Sequence, residues 1–199
     1  MADSNVIKMD FDDALRLVGL YELKDAVFGH YLVGQLVKFQ HGQEINPRAV
    51  VDEIRHLEGM NKSSRTKKAS KFKSGKIAGF WHKHFFEARH MPFNIAQHHL
   101  DGKTGEISGS AERIIRRIFD PNKSSVVTKE MIGEMSHTFS IAAYEQRSKE
   151  RSLTGDWIIY KKHMSKNYYL CVCPHNINTD RLYENLYEIY HEIMPFLFE

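Results

Sequence analysis

Residues 155–174 constrain the fold more than any other part of this sequence. They contain two runs rich in β-branched and aromatic residues, Trp157-Ile-Ile-Tyr and Tyr168-Tyr-Leu-Cys-Val-Cys. The polar residues 164–167 separate the two runs and can form a turn. This pattern is typical of a β-hairpin. The sequence therefore predicts a small antiparallel sheet, a hairpin over residues 157–173, near the C-terminus.

Helical patterns dominate the rest of the chain. Asp10 can cap a helix that begins near Phe11, and apolar residues over 23–37 recur at helical spacing. Asn46 followed by Pro47 is typical of a helix start, because proline at the first helical position needs no N–H partner. Further helices are predicted over residues 77–88, 94–100, 111–119, 128–150 and 179–194. The predicted class is α+β, mostly helical.

Length and composition fit one such domain over residues 1–199. With 42% hydrophobic residues the chain can bury a core. No window approaches the roughly 18 apolar residues of a membrane-spanning helix, and residues 1–13 lack the regions of a signal peptide. Cys171 and Cys173 lie too close together on one strand to support a disulfide framework. We expect a cytoplasmic protein with no membrane association and no cofactor.

Positive charge is concentrated in residues 59–86. This stretch has no Asp or Glu and eight Lys or Arg, although the whole chain has a net charge of only +3. Residues 60–76 predict an exposed basic loop because they are rich in Ser and Lys. A local cationic surface attracts polyanions, of which nucleic acid is the commonest. The residues expected to bind nucleic acid are Arg65, Lys67, Lys68, Lys71, Lys73, Lys76 and Trp81, with Lys161 and Lys162 on the hairpin.

The predicted helix over residues 128–150 has a polar face. At 100° per residue, Met135 and Phe139 fall on a buried side and His137 on the opposite side. Imidazole can move a proton and guanidinium can stabilise a pentavalent phosphate, so RNA could be cleaved through its 2′-hydroxyl without a metal. The competing interpretation is a solvated helix face. The candidate catalytic residues are His137, Tyr144, Arg147 and Arg151.

Histidines are concentrated between residues 82 and 99, where five of the twelve lie. On a helix His82 and His84 would lie about 160° apart, and they would share a face only in an extended segment. The chain has no HExxH motif of a zinc hydrolase. No metal site is therefore expected. The alternative is a site that uses His82, His84 and His90.

Acidic residues recur every four positions on the predicted C-terminal helix, at Asp180, Glu184, Glu188 and Glu192. Like charges at this spacing repel weakly, so such a stripe is normally solvated. It could bind a cationic protein partner, or neutralise the chain's own basic loop.

Three functions remain open from the sequence. The first is a cytoplasmic protein that binds nucleic acid, with RNA favoured over DNA. If this protein is an enzyme, it would be a metal-independent ribonuclease, a hydrolase of the toxin kind. The second is a non-enzymatic protein-interaction or regulatory protein. The third is a metal-dependent enzyme that uses the histidine-rich segment.

Overall fold

The computed structural model describes residues 9–42, 45–61, 63–124 and 126–199. Lys62, one of the eight basic residues of 59–86, and most of the N-terminal segment lie outside these ranges. The chain divides into two compact units. Unit 1 comprises Met1–Ser64, Lys68–Phe86 and Gly155–Glu199, and unit 2 comprises Arg65–Lys67 and Glu87–Thr154.

The helices and strands follow in chain order. The strands are β1 (Val27–Phe28), β2 (Ser70–Lys71), β3 (Trp81–His84), β4 (Trp157–His163) and β5 (Lys166–Cys173). The helices are α1 (Phe11–Val18), α2 (His30–His41), α3 (Pro47–Leu57), α4 (Met91–His99), α5 (Gly109–Ile118), α6 (Lys129–His137), α7 (Ala143–Lys149) and α8 (Thr179–Tyr190). The predicted α+β class is confirmed.

The sheet of unit 1 differs from the predicted hairpin in extent and direction. The hairpin of β4 and β5 exists, but it forms the centre of a five-stranded sheet in the order β1-β5-β4-β3-β2. β1 pairs with β5 in parallel, whereas the other neighbours are antiparallel, so the sheet is mixed. The prediction of a small, purely antiparallel sheet at the C-terminus is wrong. The added strands have two to four residues each, which is too short for a period-two signal.

The centre of the sheet is buried on both faces. Ile158 and Tyr160 of β4 belong to a core built with α1, α2 and α3, and Ile159 belongs to a second core built with α8. Successive side chains of a strand point to opposite faces, which explains the division. The pairing of β4 with β5 slips between Ile159 and Tyr160, so Leu170 has no partner in the register and forms a β-bulge.

Residues 77–88 were predicted to be a helix, and this prediction is wrong. Trp81–His84 is strand β3, with Trp81 and Phe85 in the first core. Between them Lys83 is also buried, with a side chain only 2% exposed. Its ammonium donates to Ser64 Oγ at 2.9 Å and lies 3.2 Å from Glu53 Oε2 on α3. A charged residue on the buried face interrupts the apolar alternation that would have indicated a strand.

The start of α2 is packed against a tyrosine of α8. The Tyr190 hydroxyl donates to Leu170 O at 2.9 Å and accepts from the Tyr31 backbone N–H at 3.3 Å. A Cβ atom at Gly29 would lie 2.1 Å from the same hydroxyl oxygen. Gly29 has an ordinary extended conformation, with φ of −69°. The glycine is therefore required by the close approach of the ring and not by the backbone.

Unit 2 is helical and is held together in part by polar contacts. Asn94 of α4 is fully buried, and its side-chain amide donates to Thr154 O at 2.7 Å. The Thr154 backbone N–H donates back to Asn94 Oδ1 at 2.8 Å.

The helix predicted over 128–150 starts at its predicted cap, Thr128, but residues 138–142 form a π-helical segment between α6 and α7.

Candidate nucleic-acid interface

We call three residues of the predicted basic loop, residues 60–76, the lysine group: Lys68, Lys71 and Lys73. All three side chains are exposed, and none forms an ion pair with a carboxylate of the described residues. Lys76 differs, because its ammonium lies 2.7 Å from Glu184 Oε1 on the acidic face of α8. The hydrogen bond to Glu184 raises the pKa of Lys76. The acidic helix therefore neutralises Lys76 and leaves the lysine group charged.

The lysine group is continuous with two lysines of β4. Lys71 is the cross-strand neighbour of Trp81, and the Lys162 ammonium lies 4.7 Å from the centre of the Trp81 ring. Lys161 donates to the carbonyl oxygen of Leu197. Burial lowers the pKa of Lys161, and repulsion from Lys71 lowers it further. Cationic side chains thus extend from β2 across β3 to β4, with an aromatic ring among them.

The other two predicted nucleic-acid contacts belong to unit 2. Arg65 is exposed, and its carbonyl oxygen accepts from the Leu153 backbone N–H at 3.3 Å. The Lys67 backbone N–H donates to Leu153 O at 3.0 Å. Burial lowers the pKa of Lys67, and the nearby Arg147 lowers it further. The sequence grouped these residues with the lysine group, and the structure describes them in a separate unit.

Five rings of unit 1 lie together beside β2, and we call them the ring cluster. His82 and His84 share a face because β3 is extended, and their ring centres are 5.8 Å apart. Trp157 lies 4.8 Å from His82 and 5.5 Å from Phe72. His175 lies 4.7 Å from Trp157 and 5.3 Å from His84. The sequence indicated that two histidines could pair in a strand, but the other three rings come from distant positions and were missed.

Two nitrogen atoms of the ring cluster are buried without a hydrogen-bond partner among the described residues. They are His82 Nδ1 and Trp157 Nε1. The opposite nitrogen of the first ring, His82 Nε2, lies 3.0 Å from Ser70 Oγ, which fixes the ring plane. Burial lowers the pKa of His82 to about 4, and the neighbouring His175 contributes to this shift. His82 is therefore neutral near pH 7.

The lowered pKa of His82 predicts a loss of stability in acid. Between pH 6.5 and about 4 the unfolded chain binds a proton that folded His82 does not, so the unfolding free energy falls as pH falls through this window. We expect a contribution on the order of 1–2 kcal/mol after allowance for the solvent exposure of the ring. His82→Phe should lose less stability than the wild type between pH 7 and pH 4 in urea unfolding experiments.

The exposed His137 provides the control for this experiment, since His137→Phe should keep the wild-type difference between the two pH values. The groups that face His82 are His84, His175 and Ser70. Equal acid sensitivity of His82→Phe and the wild type would show that folding does not lower the pKa of His82.

The predicted catalytic residues occupy different environments. His137 is exposed at the end of α6, Tyr144 is half-buried, and Arg151 is exposed with a φ of 52°. Arg147 is half-buried, and its guanidinium donates to Gln97 Oε1 at 3.1 Å and to Ser152 O at 2.7 Å. The π-helical segment inserts about one residue, or about 100° of phase, between His137 and the later residues. Counting at 100° per residue therefore does not place them on one face.

The buried side predicted for this helix is only partly buried. Met135 and Phe139 are both half-buried, and Ile132 is 56% exposed. The Phe139 ring stacks on His99 at 4.0 Å. Burial lowers the pKa of His99, and neighbouring His98 lowers it further. The aromatic contact of this helix thus involves a histidine that the sequence did not connect with it.

The residues of the alternative metal site belong to different units. His82 and His84 belong to unit 1, whereas His90 belongs to unit 2 and caps a short turn, where its Nδ1 accepts from the Glu87 backbone N–H at 3.0 Å. Within the part of the chain that the structure describes, no group of three or more His, Cys, Asp or Glu side chains could hold a metal ion. Cys171 and Cys173 are buried free thiols.

Comparisons with known proteins found no matching family, curated protein or solved structure. In the described ranges, none of the helices has both the length and the apolar character needed to cross a membrane.

Proposed function

We propose that the protein binds single-stranded nucleic acid through the lysine group and the adjoining rings of unit 1. The observation that carries the proposal is the exposure of Lys68, Lys71 and Lys73 without a carboxylate partner among the described residues. Lys162 extends the cationic surface to β4 on the face of Trp81, whereas Lys161 lies on the opposite face of the strand, beside Phe80 and Leu197. Each unpaired lysine can replace a counterion at a phosphate, which makes binding favourable at low salt.

The interleaving of lysines with rings favours a single strand over a duplex. Phe72 lies between Lys71 and Lys73 in sequence and belongs to the ring cluster, 4.6 Å from His82. Trp81 pairs with Lys71 across the sheet and lies beneath the ammonium of Lys162. Proteins that bind single strands combine a cationic track for the phosphates with aromatic rings on which bases stack.

The proposal is limited to binding, because the geometry gives RNA cleavage less support. Arg147 was expected to stabilise a phosphate, but its guanidinium donates hydrogen bonds to Gln97 and to the Ser152 carbonyl oxygen. His137 precedes the π-helical segment, whereas Arg147 follows it. RNA and DNA are therefore tested side by side, because phosphate contacts and base stacking do not need the 2′-hydroxyl.

Simultaneous replacement of Lys68, Lys71 and Lys73 by Ala should weaken binding about tenfold at moderate salt. It should also reduce the slope of log affinity against log salt by about 2, because each contact with a single strand contributes about 0.7. Fluorescence anisotropy with a labelled 12-nucleotide RNA and the DNA of the same sequence measures both quantities.

The matched control replaces three exposed lysines of unit 2, Lys103, Lys123 and Lys129, by Ala. This control removes the same charge from the chain, so it should leave most of the affinity and the slope unchanged. If the two triple variants behave alike, binding reflects net charge only and the proposed surface is incorrect. If neither RNA nor DNA binds the wild type, the interaction-protein alternative, with the acidic face of α8 as its surface, becomes the better proposal.

A further inference from the structure

The two unpartnered nitrogens of the ring cluster point to a ligand. Buried polar atoms without a partner are rare in native proteins, and each one calls for a physical explanation. His82 Nδ1 and Trp157 Nε1 lie on rings whose centres are 4.8 Å apart. The closeness of the two rings suggests that one ligand satisfies both nitrogens. A water molecule could satisfy them too, but the surrounding rings suit a flat ligand better.

We propose that Trp157 and His82 bind the edge of a nucleobase, and that the His175 ring holds the place of this base in the free protein. This inference rests on the proposed nucleic-acid function, since it assigns the base contact of the same surface. The phosphates of the strand would then lie along Lys71 and Lys73, which flank Phe72 of the ring cluster.

The ring of His175 is suited to occupy the base site in the free protein. Its ring is a flat nitrogen heterocycle that lies 4.7 Å from Trp157 and 5.3 Å from His84, the latter at an interplanar angle of 24°. The residue is exposed, and it follows Pro174 at the end of β5. Its backbone N–H donates to Asp156 Oδ1 at 3.2 Å, which holds the backbone. Outward rotation of this exposed side chain would uncover the two nitrogens while the backbone stays in place.

The two nitrogens offer complementary chemistry once the ring of His175 has moved. Trp157 Nε1 is a donor only, so it needs a carbonyl oxygen or a ring nitrogen. His82 Nδ1 donates or accepts according to the tautomer, and the Ser70 hydroxyl beside His82 Nε2 suits both tautomers, because it can donate or accept. A base edge carries donors and acceptors side by side. Stacking on the His84 ring, which the His175 ring faces at an interplanar angle of 24° in the free protein, adds affinity that every base shares.

The indole N–H signals provide a direct test, because the chain has only two tryptophans. Trp157→Phe removes one signal from a ¹H–¹⁵N spectrum of the full chain and so assigns it. Titration of the wild type with AMP, CMP, GMP and UMP should shift the Trp157 signal with at least one of them. Ribose 5-phosphate, which has the sugar and phosphate but no base, should leave that signal in place.

His175→Ala should bind the best nucleotide roughly three- to tenfold more tightly, because the competing ring is gone. His82→Phe keeps a flat ring and should bind it less tightly. If none of the four nucleotides shifts the Trp157 signal in the wild type or in His175→Ala, the inference is wrong. The Trp157 signal could shift with nucleotides but not with ribose 5-phosphate while the lysine-group variant keeps the wild-type slope of log affinity against log salt. That result would support the base site and contradict the proposed phosphate surface.

Discussion

Lys83→Met is expected to reduce the unfolding free energy by about 3–5 kcal/mol, the cost of breaking a buried ion pair. The Lys83 side chain is 2% exposed and that of Glu53 is 12% exposed. Desolvation lowers the pKa of Lys83, and Glu53 acts in the opposite direction. Removal of the ammonium takes the charge of Lys83 away from the Glu53 carboxylate in the interior, and it removes the donor to Ser64.

Urea unfolding of the variant measures this effect, and two further variants separate its cause. The double variant Glu53→Leu/Lys83→Met should recover much of the loss, because apolar residues of similar size often replace a buried pair at little cost. Lys76→Met breaks an exposed ion pair with Glu184 and should change stability little. A loss in Lys76→Met as large as that in Lys83→Met would contradict the role of burial.

Gly29→Ala is expected to destabilise the protein by about 2–3 kcal/mol, because the new Cβ would overlap the ring of Tyr190. The ideal Cβ position is 2.1 Å from the hydroxyl oxygen and 2.6 Å from Cζ of that ring. Tyr190 is completely buried and its hydroxyl donates a hydrogen bond to Leu170 O. A shift of the ring would therefore break this hydrogen bond and disturb the core packing. Thermal unfolding should show a lower midpoint.

Gly34→Ala is the control inside α2, the helix that Gly29 immediately precedes. A Cβ at Gly34 has no atom within 4 Å, and alanine is the better helix former. This variant should therefore stabilise the protein by about 0.5–1 kcal/mol. If both alanine variants had the same effect, the contact with Tyr190 would not explain the glycine at position 29.

The sequence predicted the elements whose signals are local. The hairpin of β4 and β5 carries its own alternation and turn, and α3 begins at Asn46 and Pro47, where the Asn46 side chain accepts from the Arg48 backbone N–H. Strand β3 was missed because its buried lysine has its partner on α3, about thirty residues earlier, and nothing in the local sequence reveals that pairing.

The candidate site could be predicted only in part for the same reason. The exposed lysines were visible as a run of charge. The ring cluster joins Phe72, two histidines of β3, Trp157 and His175, and its assembly depends on the register of β2, β3 and β4. The catalytic hypothesis assumed a regular helix, and the π-helical segment at residues 138–142 changed the phase on which that hypothesis depended.

The order of the strands also determines how the sheet must form during synthesis. β2 and β3 leave the ribosome before residues 87–154, and β4, the second partner of β3, follows only after those residues have been made. At the usual rate of translation this delay lasts roughly 4–14 s. One edge of β3 is unpaired throughout that time, and unpaired edges invite aggregation unless charge or a short flanking strand protects them. Lys71 of β2, with Lys68 and Lys73 on either side of that strand, places charge beside the incomplete sheet and so opposes aggregation of the nascent chain.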